Sequence, residues 1–170
     1  MGKQFICDGT KYELAGPNDD VIGLPISLTD LPDTVTVEGV ELTRRPAFHV
    51  SLVCPGKIVE RYGMPAQDFV RTVVDDFCSF VATTDISFGR FTSELRFVES
   101  EDRKTLVGMC DIIGLNEFFK ALSAKHGIDF EYPPTHVTLY TLGGGPGVFL
   151  TTQRDIQALT RTVSVPQIRL

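Results

Sequence analysis

One short stretch occurs twice in this chain of 170 residues. Residues 46–52 read Pro-Ala-Phe-His-Val-Ser-Leu and residues 133–139 read Pro-Pro-Thr-His-Val-Thr-Leu. Each copy has Pro at its start, His three places later, then Val, a hydroxyl residue and Leu. The two histidines, His49 and His136, are 87 positions apart, about half the chain. The β-branched and aromatic residues around both copies favour strands. In a strand, side chains i and i+2 share a face. His49 and Ser51 therefore point one way, with Phe48, Val50 and Leu52 behind them. His136, Thr138 and Tyr140 are expected to share a face in the same manner, with Val137 and Leu139 behind. Two such strands brought together would gather two imidazoles and two hydroxyls around one small ligand.

A single His-x-Ser on a strand is usually a structural or solvated pair. The doubling changes that weighting, because the chain has only three histidines and two fall in matching contexts. The third, His126, precedes Gly127 at the end of an expected helix, where an imidazolium suits the C-terminal dipole, and reads as structural.

A chain of this length makes one domain, or two small lobes sharing a core. With 42% hydrophobic and 22% charged residues it has the composition of a globular protein. A net charge of −6 argues against a long electrostatic footprint on nucleic acid, although a local basic cleft remains compatible with it. Cys7, Cys54, Cys78 and Cys110 show no CxxC spacing and read as scattered buried thiols, with no zinc site and no other metal or cofactor implied. The start of the chain lacks signal-peptide character, and no apolar run approaches a membrane span, so the expected address is a reducing cytoplasm.

Along the chain, Asp8-Gly9 and Glu38-Gly39 mark hairpin turns within residues 5–14 and 35–42. The stretch between them, with Asp19-Asp20 and prolines at 25 and 32, reads as loop, and the acidic pair as solvated. Pro55-Gly56 reads as a turn. Residues 66–81 repeat apolar side chains at helical spacing (Ala66, Phe69, Val70, Val73, Val74, Phe77, Phe80, Val81), with Asp75 and Asp76 on the wet face. A hairpin over 86–99 and 104–113 follows, then a helix from about Asn116 to His126. Gly143-Gly144-Gly145-Pro146-Gly147 follows the second motif. Such a loop can cradle phosphate, but it lacks the Lys and Ser/Thr of a P-loop and reads first as a plain turn. Thr152 and Asp155 resemble a capping box, and 162–165 a closing strand.

Each half thus holds a motif strand, a helix and a further strand. The expected fold is a single α+β domain over 1–170, bilobal, with two pseudo-twofold-related lobes. Their largely antiparallel sheets would face a central cleft with helices outside.

His49-Val50-Ser51-Leu52 and His136-Val137-Thr138-Leu139 resemble the paired His-x-Ser/Thr-hydrophobic signatures of the two-histidine (2H) phosphoesterase superfamily. That group includes cyclic nucleotide phosphodiesterases and RNA 2′,5′-ligase-like proteins. The resemblance implies a bilobal α+β protein with a metal-free site formed by His49, His136, Ser51 and Thr138.

The chemistry also follows from the residues. Opening a cyclic phosphodiester needs a base to activate water and an acid to protonate the leaving oxygen. An unperturbed imidazole titrates at about pH 6.5 and can serve as either. Ser51 and Thr138 would donate hydrogen bonds to the non-bridging oxygens, with Tyr140 beside them as a further substrate contact. The expected activity is metal-independent hydrolysis of a 2′,3′-cyclic or related nucleotide by a monomer. Which histidine is the base is not legible. Two alternatives stay open. One is an enzyme acting on an RNA end, with a basic track through Arg44, Arg45, Lys57 and Arg90. The other is a binding module that holds phosphate without turning it over.

Overall fold

Two hairpins open the chain's architecture because their turns can take positive φ. Asp8 (φ 48°) and Gly9 (φ 78°) join β1 (Lys3–Cys7) to β2 (Thr10–Ala15), and Glu38 (φ 48°) and Gly39 (φ 80°) join β4 (Thr34–Val37) to β5 (Val40–Arg44). Positive φ at both central residues matches the right-handed twist of the flanking strands. The computed structural model describes residues 2–170, apart from the side chains of Ala66 and Gln67. The remaining elements are β3 (Val21–Ile26), β6 (Phe48–Val53), α1 (Pro55–Tyr62), α2 (Ala66–Val81), β7 (Ser87–Ser100), β8 (Arg103–Ile113), α3 (Leu115–His126), β9 (His136–Thr141), α4 (Gln153–Leu159) and β10 (Thr160–Val163). The fold is α+β with antiparallel strand pairing.

The chain divides into two compact units, each assembled from three segments. One comprises Met1–Pro25, Ser51–Phe88 and Ile112–Pro133; the other comprises Ile26–Val50, Gly89–Asp111 and Pro134–Leu170. Both motif histidines belong to the second unit, and the boundary falls inside β6, between Val50 and Ser51.

In the first unit the strand order is β1-β2-β3-β6. Helix α2 spans the expected residues, and its 3.6-residue period buries Phe69, Val73, Phe77 and Val81. Ala66, expected on the same stripe, has its side chain outside the described residues. Burial of such side chains contributes about 1.5–3 kcal/mol each. Phe77 meets Tyr12 edge-on at 4.9 Å and Phe118 of α3 at 5.3 Å. Asp76 lies half-buried and receives Lys125 Nζ of α3 at 2.7 Å.

Three expectations for this unit are corrected. Residues 21–26 form strand β3 rather than loop; β2 pairs with it only at Val21, Ile22 and Gly23, so Pro25 interrupts no part of that ladder. Pro55-Gly56 opens helix α1 instead of turning the chain, since Pro at the first helical position loses no hydrogen bond. A Cβ on Gly56 would fall 1.9 Å from a carboxylate oxygen of Asp20, the flexible end of a side chain that would have to turn away. Finally, Cys7 and Cys78 are joined in a disulfide, with Cα atoms 5.0 Å apart, and are not scattered thiols. The bond closes a separation of 71 residues, a constraint on the unfolded chain worth about 3–5 kcal/mol. It also weakens the argument for a reducing compartment, where such bonds are rare. Cys54 and Cys110 are free, and burial pushes both thiols up to about 12, Asp20 and Asp111 adding to the effect.

In the second unit the order is β6-β9-β8-β7-β10, with β5 of the β4–β5 hairpin also pairing with β9. Val98, Val107, Val148, Leu150 and Ile156 form a core cluster, with Met109 and Leu159 against it. The expected capping box opens α4: Thr152 Oγ1 accepts from the Asp155 N–H, and the Asp155 carboxylate accepts from the Thr152 N–H. The closing strand β10 lies two residues earlier than expected. Arg161 on it pairs with Glu38 and Glu99 and stacks over Phe97. No helix among the described residues is long and apolar enough to cross a membrane.

Candidate active site

The two motif strands are hydrogen-bonded neighbours. β6 and β9 run antiparallel with Val50 opposite Val137. Continuing this register by one residue sets His49 against Thr138 on the face away from the two valines. His136 is then the diagonal neighbour of His49, and diagonal pairs lie about 7–8 Å apart at Cα. The electrostatic influence of His49 on His136 accords with that proximity. Ser51 follows His49 by two positions on the same strand and shares its face.

The environments of the two imidazoles differ. His49 is half-buried. His136 is only 9% exposed, and its Nδ1 lies 2.7 Å from the Pro134 carbonyl oxygen. A carbonyl only accepts, so Nδ1 carries the proton and the neutral ring presents Nε2 as a lone pair. Burial lowers the pKa of His136 from its ordinary value, the Pro134 bond opposes this, and the nearby His49 lowers it further. His136 is therefore held neutral at pH 7.

The polar face of β9 is bounded on one side by β8. Met109 lies opposite His136, and Val107 lies opposite Thr138. The register then shifts: Leu106 lies opposite Tyr140, so Leu139 is an extra residue in β9. Leu106 and Val107 alternate in β8, which puts Thr138 and Tyr140 on opposite faces of the sheet. The expectation that Tyr140 joins His136 and Thr138 as a substrate contact is therefore corrected. Tyr140 is 0% exposed and its hydroxyl donates to the Pro32 carbonyl at 2.8 Å. Its role is structural. Past the shift, Thr141 pairs with Thr105 on the Thr138 side, and its buried Oγ1 has no hydrogen-bond partner among the described residues.

His126 ends α3, as expected, and Gly127 caps the helix in the left-handed conformation. Its ring packs against Phe69 and Phe130, and its buried Nε2 has no hydrogen-bond partner among the described residues.

The four cations considered for an RNA track each have an acceptor. Arg44 binds Asp33 and the Leu31 carbonyl, Arg45 the Gly144 and Gly145 carbonyls, Lys57 binds Glu60, and Arg90 binds Asp111. Asp19 pairs with Lys3. Among the described residues no group of three or more His, Cys, Asp or Glu side chains is gathered to hold a metal ion.

No family model, curated protein or solved structure matches this chain.

Proposed function

We propose that the protein is a phosphodiesterase of the two-histidine kind, hydrolysing a cyclic phosphate such as a nucleoside 2′,3′-cyclic phosphate without a metal or cofactor. One observation carries this reading: two imidazoles on adjacent antiparallel strands, one buried and pinned as the Nδ1–H tautomer by Pro134. The repeated motif and this local twofold about Val50 and Val137 also favour descent from two similar halves, and with it the bilobal, pseudo-twofold plan.

His136 acts as the base. Its Nε2 takes a proton from water as the water oxygen bonds to phosphorus. The bond from phosphorus to one ribose oxygen breaks on the opposite side, and His49, entering as imidazolium, gives that oxygen its proton. The product is a phosphomonoester with a free hydroxyl. The two histidines return to their starting forms by exchange with solvent. Ser51 and Thr138 donate to the non-bridging oxygens, where charge is held in the transition state. The expected partner is a small cyclic phosphate or nucleotide, handled by a monomer. Ligation or cleavage at an RNA end uses the same four side chains, and holding phosphate without turnover needs no acid and base. The acceptors already bound to Arg44, Arg45, Lys57 and Arg90 favour the small substrate over RNA.

The test is a screen of cyclic phosphates and 2′,5′-linked dinucleotides with the purified protein, its His49→Ala and His136→Ala variants, and added EDTA. Turnover of a cyclic phosphate that survives EDTA and is lost in both variants is expected. Binding with no turnover would favour the binding module.

A further inference from the structure

Resting on that reading, we infer that Gly147, in a glycine loop held by Arg45, is a positioning residue that keeps the Thr138 hydroxyl open to a phosphate oxygen. Two contacts hold the loop of residues 142–147. At its middle, Arg45 donates from one guanidinium nitrogen to the Gly145 carbonyl at 2.8 Å and to the Gly144 carbonyl at 3.3 Å. The Arg45 backbone N–H in turn donates to the Leu139 carbonyl at 2.9 Å, one residue past Thr138. At its end, the Val148 N–H donates to Thr105 Oγ1 at 3.3 Å, and the Val148 side chain is buried in the cluster with Val107. Gly147 therefore lies directly before a fixed point, on the same side of the sheet as Thr138.

The glycines of this loop are glycines for different reasons. Gly143 (φ 60°) and Gly144 (φ 69°) occupy the left-handed region, which L side chains rarely adopt. Gly147 is not among the residues with positive φ. Space does not demand glycine there either. A Cβ on Gly147 would lie 3.4 Å from Thr138 Cγ2, 3.5 Å from Thr138 Oγ1 and 3.9 Å from Thr105 Cγ2, all ordinary contacts. An alanine would thus fit, and it would cover the one polar atom of Thr138. Without that methyl group Thr138 stays half-buried, and Arg45 fixes the loop beside it. The geometry makes Gly147 a determinant of phosphate access rather than of folding.

A double-mutant cycle separates this role from packing. The kcat/KM for a nucleoside 2′,3′-cyclic phosphate is measured for wild type, Gly147→Ala, Thr138→Val and the double variant, with thermal unfolding of each. Gly147→Ala is expected to lower kcat/KM about tenfold in wild type and less than about twofold in the Thr138→Val background, where no hydroxyl remains to be covered. Arg45→Met serves as a second variant, since it releases the loop without adding an atom near Thr138, and its loss should likewise vanish in the Thr138→Val background. Equal losses in both backgrounds, or no loss at all, would overturn the inference while leaving the phosphodiesterase reading in place. A wild-type protein that turns over no cyclic phosphate would end both.

Discussion

The two copies of the motif share a sequence pattern and differ in what surrounds them. In β6 the histidine is half-buried and the strand alternates regularly through Leu52. In β9 the histidine is buried, its Nδ1 is fixed to Pro134, and an extra residue at Leu139 breaks the alternation three positions on. A nearly symmetric sequence thus yields an asymmetric pair, one imidazole held neutral and the other more open to solvent. On the proposed mechanism that asymmetry assigns the roles, the buried neutral imidazole as base and the more open one as acid.

The largest expected effect is on the histidines themselves. His49→Gln and His136→Gln should each lower turnover of a cyclic phosphate by roughly a hundredfold to ten-thousandfold. The double variant should be far less impaired than the product of the two, since the groups act as a unit. Strictly multiplicative losses would show two independent roles and dissolve the pairing.

Removing the hydroxyls tests whether the copies still match two positions further along. On the proposed mechanism, Ser51→Ala and Thr138→Val would each delete a hydrogen bond to a charged oxygen, worth about 1.5–3 kcal/mol, or roughly tenfold to somewhat over a hundredfold in kcat. A loss confined to one of them would mean that only one copy touches the phosphate.

Burial of His136 should also appear in stability. In the unfolded chain its imidazole titrates at about pH 6.5, and folding lowers that value. Between the two values the unfolded chain binds a proton that the folded protein does not, so stability present above about pH 6.5 declines as pH falls, with a slope of at most about 1.4 kcal/mol per pH unit. Denaturant unfolding from pH 8 to 5 should show a shallower decline in His136→Gln than in wild type. An unchanged slope would place the titration elsewhere.

The smallest effect belongs to Tyr140. Tyr140→Phe removes the bond to the Pro32 carbonyl and should cost about 1 kcal/mol of stability. Its kcat/KM should stay within about threefold of wild type, below the loss of a hydrogen bond to a charged group. A loss as large as that of Thr138→Val would return Tyr140 to the substrate.

Much of this arrangement was legible in the chain, and what was not has physical causes. The period of residues 66–81 identified α2 because a helix packed on one side needs that spacing. Asp8-Gly9 and Glu38-Gly39 marked hairpins because few residues accept positive φ. Within each motif, strand alternation sets His and its hydroxyl at i and i+2 on one face. The alternation failed at Tyr140, since the bulge at Leu139 is set by pairing with β8 and carries no glycine or proline signal of its own. Strand β3 was hidden by Gly23 and Pro25, and α1 by a Pro-Gly pair that serves equally as a turn or a helix start. The bond between Cys7 and Cys78 depends on β1 meeting α2, which local pattern does not encode. Gly147 looked like any loop glycine until its distance to Thr138 was known.

The division of labour between the two copies is tested most directly by the pH dependence of kcat/KM for a nucleoside 2′,3′-cyclic phosphate in wild type, His49→Gln and His136→Gln. Wild type should give a bell whose acidic limb has its midpoint below about 6.5, the ordinary imidazole value, because burial lowers His136. The residual activity of His136→Gln should lose that acidic limb, and that of His49→Gln should lose the alkaline one. The reverse assignment, or a bell that survives in either variant, would contradict the account.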